Sequence, residues 1–327
     1  MNMGSTYAAL SVLDAAINRT KSLLWPFNLG VWLRIAVISF FVGGMGGGFN
    51  LPGGGSSPGG VPGGNIPGMG DTLLSNLGII LLIVAAILIF VLVMWLLGAI
   101  FQFVFVDCLR TGEVSLRRYF GPRTGKGFSL FLFELGLGLI IFLIIAVPVG
   151  LLILAAGGFT SGATSLAVIP GFLLLFAAIL LMALVVGLIM LFTIDFVVPI
   201  MIRDDCGVID GWRTCWGIIR TEWKQALVYA ITKFLLGLAV GIIMLIAVII
   251  AALVIAIPFV IIGILAVAAG GPVPFYIAFA VLFFVVMLPV ALLISVPFVT
   301  FLRYYSLEVL AAIAPAYDLL PAVSPAE

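Results

Sequence analysis

The chain has 327 residues, of which 65% are apolar and only 8% charged, and its net charge is +1. A soluble domain carries roughly 25% charged residues, so there is too little polar surface here to coat a water-soluble globule. A net charge this small, with no basic patch interleaved with aromatics, argues against a nucleic-acid partner. The absence of histidine removes His-based acid–base catalysis, Ser–His and Cys–His nucleophile pairs and His metal sites.

Residues 1–27 read as an interfacial segment rather than a signal peptide, because Asp14, Arg19 and Lys21 interrupt any apolar core. Within it, residues 5–24 carry Leu10, Leu13, Ile17 and Leu24 at helical spacing, which predicts an amphipathic helix lying in the membrane interface. Pro26 ends it. Mean hydropathy over the chain is +1.42, and apolar runs longer than about 18 residues read as membrane helices.

The first span is expected at 28–47. Residues 43–72 form a Gly/Pro outer loop holding 14 of the 38 glycines. Such a loop has no apolar area to bury, which predicts a flexible, solvated tether. The second span, 73–107, is longer than a bilayer core requires and has to tilt, kink or protrude. A charged inner segment, 108–128, precedes the third span at 129–156. The fourth span is 168–202, and a second charged segment, 203–225, carries Trp212, Trp216 and Trp223. Residues 226–269 are continuously apolar and read as one long helix bent near Pro258 with an interfacial or re-entrant tail. The sixth span is 275–302. A short interfacial helix at 303–315 and a loose Pro-rich tail at 316–327 complete the chain. The fold class is therefore all-α: a single polytopic transmembrane bundle of about six spans.

Charge distribution gives the orientation. All 14 Lys and Arg residues lie at one side of this map or within a few turns of it. The loops on the other side, 43–72, 157–167 and 269–274, contain Asp71 as their one charge. The positive-inside rule then places both termini in the cytoplasm of a multi-pass cell-membrane protein, with tryptophans marking the inner boundary.

A repeat underlies the map. Inner segments 5–26, 108–128 and 204–225 each precede a span with one charge in its inner third, namely Arg34, Glu134 and Lys233. The spans that return end at Arg110, Arg203 and Arg303. Three hairpins, each led by a cytoplasmic interfacial helix, account for this pattern. Even spacing also follows from any alternation of hydrophobic hairpins.

Arg34, Glu134, Asp195 and Lys233 form the candidate intramembrane polar cluster. Charges at this depth are costly and face protein, water or a partner. They can snorkel or pair structurally, with Glu134 expected against Arg34 or Lys233, or they can line an inward-facing polar vestibule. Gly237 and Gly241 have the small-residue spacing of close helix packing. Cys108, Cys206 and Cys215 lack CxxC spacing and read as reduced bystanders. Nothing in the sequence assembles a catalytic centre, a cofactor site or a metal site.

Residues 196–236, FVVPIMIRDDCGVIDGWRTCWGIIRTEWKQALVYAITKFLL, run from a span ending in a hydrophobic-Pro motif through an acidic Gly-containing turn and an amphipathic helix into another span. This stretch, together with ALSVLDAAINRTKSLLWPFNLGVWLRIAVISFFVGG near the N-terminus, resembles the membrane domain attached to some glycerophosphoryl diester phosphodiesterases and related stand-alone archaeal and bacterial membrane proteins. The resemblance implies topology and a bilayer home. It does not bring the enzymatic activity, which belongs to a separate soluble barrel with histidines that this chain lacks.

Two functional expectations follow. The first is a membrane component without catalytic activity: a scaffold or an accessory subunit of an assembly, with membrane lipids and either protein partners or further copies of itself around it. The second is a transporter or lipid-handling protein with a cytoplasm-facing polar vestibule. An intramembrane enzyme is the weakest reading, since no pattern places Glu134 and Asp195 face to face.

Overall fold

A computed structural model describes residues 7–44, 77–155, 168–268, 270 and 272–321. Of the expected outer loop at 43–72, Gly43 and Gly44 end the first apolar helix and the rest lies outside the described residues, as do the loop at 157–167 and the tail beyond 321. Among those described, every regular element is helical. They are α1 (Ala8–Ser11), α2 (Leu13–Leu24), α3 (Leu29–Gly44), α4 (Leu77–Thr111), α5 (Leu116–Ala155), α6 (Val168–Phe192), a π-helical turn (Thr193–Val197), α7 (Val198–Arg203), α8 (Val208–Thr221), α9 (Trp223–Ala268), α10 (Val273–Ile313) and a final 3₁₀ turn (Pro315–Tyr317).

Among the described residues, five helical runs are long and apolar enough to cross a membrane: Leu77–Thr111, Leu116–Leu151, Leu173–Arg203, Trp223–Ala268 and Pro274–Ile313. Helix α3 is apolar but shorter, at 16 residues. Helix α5 starts at Leu116 and absorbs most of the inner segment expected before the third span, with Arg117, Arg118, Arg123 and Lys126 favouring helix and Gly121, Pro122 and Gly125 opposing it. The stretch 226–269 lies almost wholly within α9, a helix of 46 residues, about 69 Å at 1.5 Å per residue. The short helix expected at 303–315 is likewise the end of α10. The amphipathic segment at the N-terminus is broken at Val12 into α1 and α2.

Packing divides the chain into two compact units. One comprises residues 1–19, 124–235 and 303–327; the other comprises 20–123 and 236–302. In the second unit α3 lies against α4. Their approach is set by Gly98, where a Cβ would sit 2.9 Å from the Phe41 carbonyl oxygen. Phe41 and Phe101 stack beside it with centroids 4.6 Å apart. Gly98→Ala forces α3 away and is expected to destabilise the protein by about 1–3 kcal/mol; an unchanged unfolding midpoint in a mild-detergent titration would contradict this packing. Asp107 near the end of α4 receives two hydrogen bonds from Arg123, at 2.6 and 3.1 Å.

In the first unit α8 packs on the π turn and α7. A Cβ on Gly211 would meet Val197 Cγ1 at 2.9 Å and Met201 Cγ at 3.1 Å, so glycine lets the helices touch. Lys126 donates to the Met201 carbonyl at 2.6 Å and pairs with Asp205 at 2.5 Å, capping the end of α7. The C-terminal segment is anchored as far as Pro321, although looseness was expected from 316. Leu319 and Leu320 are buried, Tyr317 donates to Asp204 Oδ2 at 3.1 Å, and Arg19 donates to the Pro321 carbonyl while pairing with Glu308.

Candidate intramembrane site

The first unit holds a buried ionic cluster built on the π turn. The segment Thr193-Ile-Asp-Phe-Val197 departs from α-helical hydrogen bonding: the Val198 N–H reaches back to the Thr193 carbonyl instead of that of Ile194. Pro199 has no N–H to offer in its place. The Ile194 carbonyl is thus left without either helical donor, and Arg303 of α10 supplies one from Nη1 at 2.9 Å. Isolated π turns of this kind are frequent at functional sites in helices.

Asp195 sits at the centre of the turn. Its Oδ2 accepts a 2.6 Å hydrogen bond from the Tyr229 hydroxyl and lies 3.4 Å from Lys233 Nζ. Its Oδ1 lies 3.4 Å from Arg303 Nη1. Tyr229 and Lys233 are four residues apart on α9 and share a face. Tyr229 is fully enclosed, with Phe196 stacked at 4.9 Å and Tyr305 at 6.0 Å. The Lys233 ammonium stands 5.9 Å from the Tyr305 ring centroid, a cation–π distance. Tyr305 in turn donates to the Ala9 carbonyl at 3.0 Å, holding α1 to the unit.

Asp195 lies eight residues before Arg203, about 12 Å along the helix, so this carboxylate is well inside the span. One acid, two cations and a phenol there tie the π turn, α9 and α10 together. Arg303 is buried, and its Nε and Nη2 have no hydrogen-bond partner. The arrangement can hold helices in register and still has an unused donor edge on a guanidinium. No exposed nucleophile belongs to it.

The sequence-derived candidates divide between the units. Asp195 and Lys233 meet. Glu134 is buried in α5 of the same unit. Arg34 belongs to the other unit, where its Nη1 donates to the Val114 carbonyl at 2.8 Å. Sequence reasoning treated Arg303 only as the end marker of a span and passed over Tyr229. The available signals were Pro199 four residues after a mid-span Asp195, and Tyr229 one helical turn before Lys233.

Outside the spans, burial pushes the Cys215 thiol up to about 12. The half-buried Cys206 thiol is raised by burial and by the Asp204 carboxylate. Both stay protonated at neutral pH, and access separates them. A maleimide is expected to label Cys206 well before Cys215 in the folded protein, with the Cys206 rate rising as pH is raised. Equal rates for the two would contradict the packing of α8.

These features define a polytopic all-α membrane protein with an ionic cluster buried in its helices. The chain belongs to the family described as Family of unknown function (DUF7544), whose match covers residues 7–320. No curated protein and no solved structure matches it. The family match carries no link to the membrane domain of glycerophosphoryl diester phosphodiesterases.

Proposed function

We propose that this protein is a non-catalytic component of the cell membrane, a scaffold or accessory subunit that gathers other helices around it, with both termini in the cytoplasm. The observation that carries this reading is the state of the apolar helices. Their most apolar 18-residue windows are buried by only 0%, 17%, 0%, 6% and 0% within the chain. Such surfaces need lipid or partner helices against them, because the contacts the chain makes there, such as Phe259 against Phe279 and Phe283, leave most of each helix open. The buried cluster fits the same reading, since both Asp195 oxygens are engaged by Tyr229, Lys233 and Arg303 of the chain itself. A threefold hairpin repeat, ending at Arg110, Arg203 and Arg303, is part of the proposal.

The test is isolation from native membranes in a mild detergent, followed by mass spectrometry of the intact particle. A stoichiometric assembly, with further copies or other membrane proteins, is expected. A monomer surrounded by lipid alone overturns the reading. The second reading, a lipid-handling or transport protein, is favoured by one feature: the unpartnered Nε and Nη2 of buried Arg303. Reconstituted vesicles that move fluorescent phospholipid between leaflets, and stop doing so in Arg303→Lys, would select it.

A further inference from the structure

We infer that the outer face of α8 is a binding surface for anionic phospholipid headgroups in the leaflet that α8 borders. The inference goes beyond the scaffold reading and holds whether or not partner helices are found. Helix α8 (Val208–Thr221) has 14 residues, a length of about 21 Å. Four residues separate it from Arg203, the end of one span, and one residue separates it from Trp223, the start of the next. The five steps from Arg203 to Val208 reach at most about 18 Å even when extended, less than the length of α8, so α8 cannot stand upright from the membrane while joined at both ends to spans at the same surface. It lies along that surface.

Its inner side is fixed by Val208, Gly211 and Cys215, all buried. Its outer side is a single stripe in which Ile209, Arg213, Trp216 and Arg220 follow one another at spacings of four, three and four residues, and Trp223 continues it three residues on. Ile209 is 70% exposed, Trp216 60% and Trp223 58%, and both arginines are exposed. Tryptophan is enriched at headgroup level, and arginines on the same stripe can lay their aliphatic stems in the interface while the guanidinium groups reach the headgroups. Asp210 neutralises Arg213 only in part, through an exposed contact at 3.2 Å. Arg220 and Lys224 add charge next to Trp216 and Trp223, with the Lys224 ammonium 5.8 Å from the Trp223 ring centroid.

Across residues 208–224 the exposed cations Arg213, Arg220 and Lys224 outnumber the exposed acids Asp210 and Glu222 by one, which favours anionic over zwitterionic lipid, and each surface cation contributes about 1 kcal/mol near an acidic leaflet, equivalent to about fivefold in affinity.

The experiment reconstitutes the full chain in nanodiscs of phosphatidylcholine with phosphatidylglycerol as the minor component and measures by mass spectrometry the lipid retained on detergent extraction. Wild type is expected to enrich phosphatidylglycerol, and to do so less as salt is raised. Arg213→Gln/Arg220→Gln should lose about fivefold of that enrichment for each arginine, while Arg213→Lys/Arg220→Lys keeps it. Equal retention of both lipids by wild type overturns the inference, as does undiminished enrichment in the glutamine variant. A second measurement needs no charge variant. Brominated phosphatidylglycerol should quench the part of the tryptophan fluorescence that Trp216→Phe removes. Absence of that quenching, or protection of Trp216 by a co-purifying protein instead of lipid, also overturns it.

Discussion

Asp195→Ala is expected to lower the unfolding free energy of the protein in bicelles by about 3–5 kcal/mol, the largest effect of any single substitution in the bundle. The magnitude separates two accounts of the cluster. If Asp195 contributed only as a hydrogen-bond acceptor, the loss would be small. Hydrogen bonds between membrane helices average about 0.6 kcal/mol each, and its contacts to Tyr229, Lys233 and Arg303 would sum to under about 2 kcal/mol. If it serves as the counter-charge for two buried cations, its removal leaves ammonium and guanidinium uncompensated in a low-dielectric site, which costs about 3–5 kcal/mol. Asp195→Asn, which keeps an acceptor and loses the charge, should fall near the alanine variant on the second account and near wild type on the first. A loss below about 1 kcal/mol for alanine would show that water reaches the cluster freely, and the site would then be better described as the wall of a vestibule.

The sequence made the spans legible because membrane helices are specified by a coarse quantity, a long apolar run, which tolerates errors of several residues. Helix ends were less legible. Leu116–Lys126 holds Gly121, Pro122 and Gly125, which weaken a helix, yet α5 continues through residues assigned to an inner segment, and α10 runs on past Arg303 through residues 304–313, which have neither Gly nor Pro. A hydropathy boundary marks where the bilayer stops, and helical hydrogen bonding has no reason to stop there. Asp195 and Lys233 were legible because a charge in an apolar run is conspicuous. Arg303 was not, since an arginine at the expected end of a span looks like an ordinary boundary residue. Its partner is a carbonyl made available by a π turn, and Thr-Ile-Asp-Phe-Val is equally compatible with α-helix. The signal resides in the combination of Asp195 with Pro199, which only a hydrogen-bond accounting of the backbone brings out. The other legible feature, the stripe on α8, was seen as tryptophans near a boundary. The cations between them gain meaning once the helix is tied down at both ends.

Arg303→Met should cost more than Lys233→Met, although each removes one cation from Asp195. Arg303 also supplies the one donor to the Ile194 carbonyl, and a buried acceptor left unpaired costs about 1–3 kcal/mol on its own. The excess is recoverable in a defined way. Pro199→Ala restores an N–H five residues after Ile194, the donor position of a π-helical bond. In the wild-type background this new N–H competes with an acceptor already filled by Arg303. In the Arg303→Met background it meets a vacant one. A double-mutant cycle between positions 199 and 303 is therefore expected to show a coupling of about 1 kcal/mol or more, with the alanine more stabilising when Arg303 is absent; the cycle removes the general benefit of taking a proline out of a helix. Additive costs, within about 0.3 kcal/mol, would mean that the Ile194 carbonyl is satisfied by water and that Arg303 is held in the membrane for its unused Nε and Nη2 edge. The same pair of variants thus separates a guanidinium that repairs a backbone defect from one kept for a ligand, because the first is replaceable by a backbone N–H and the second is not.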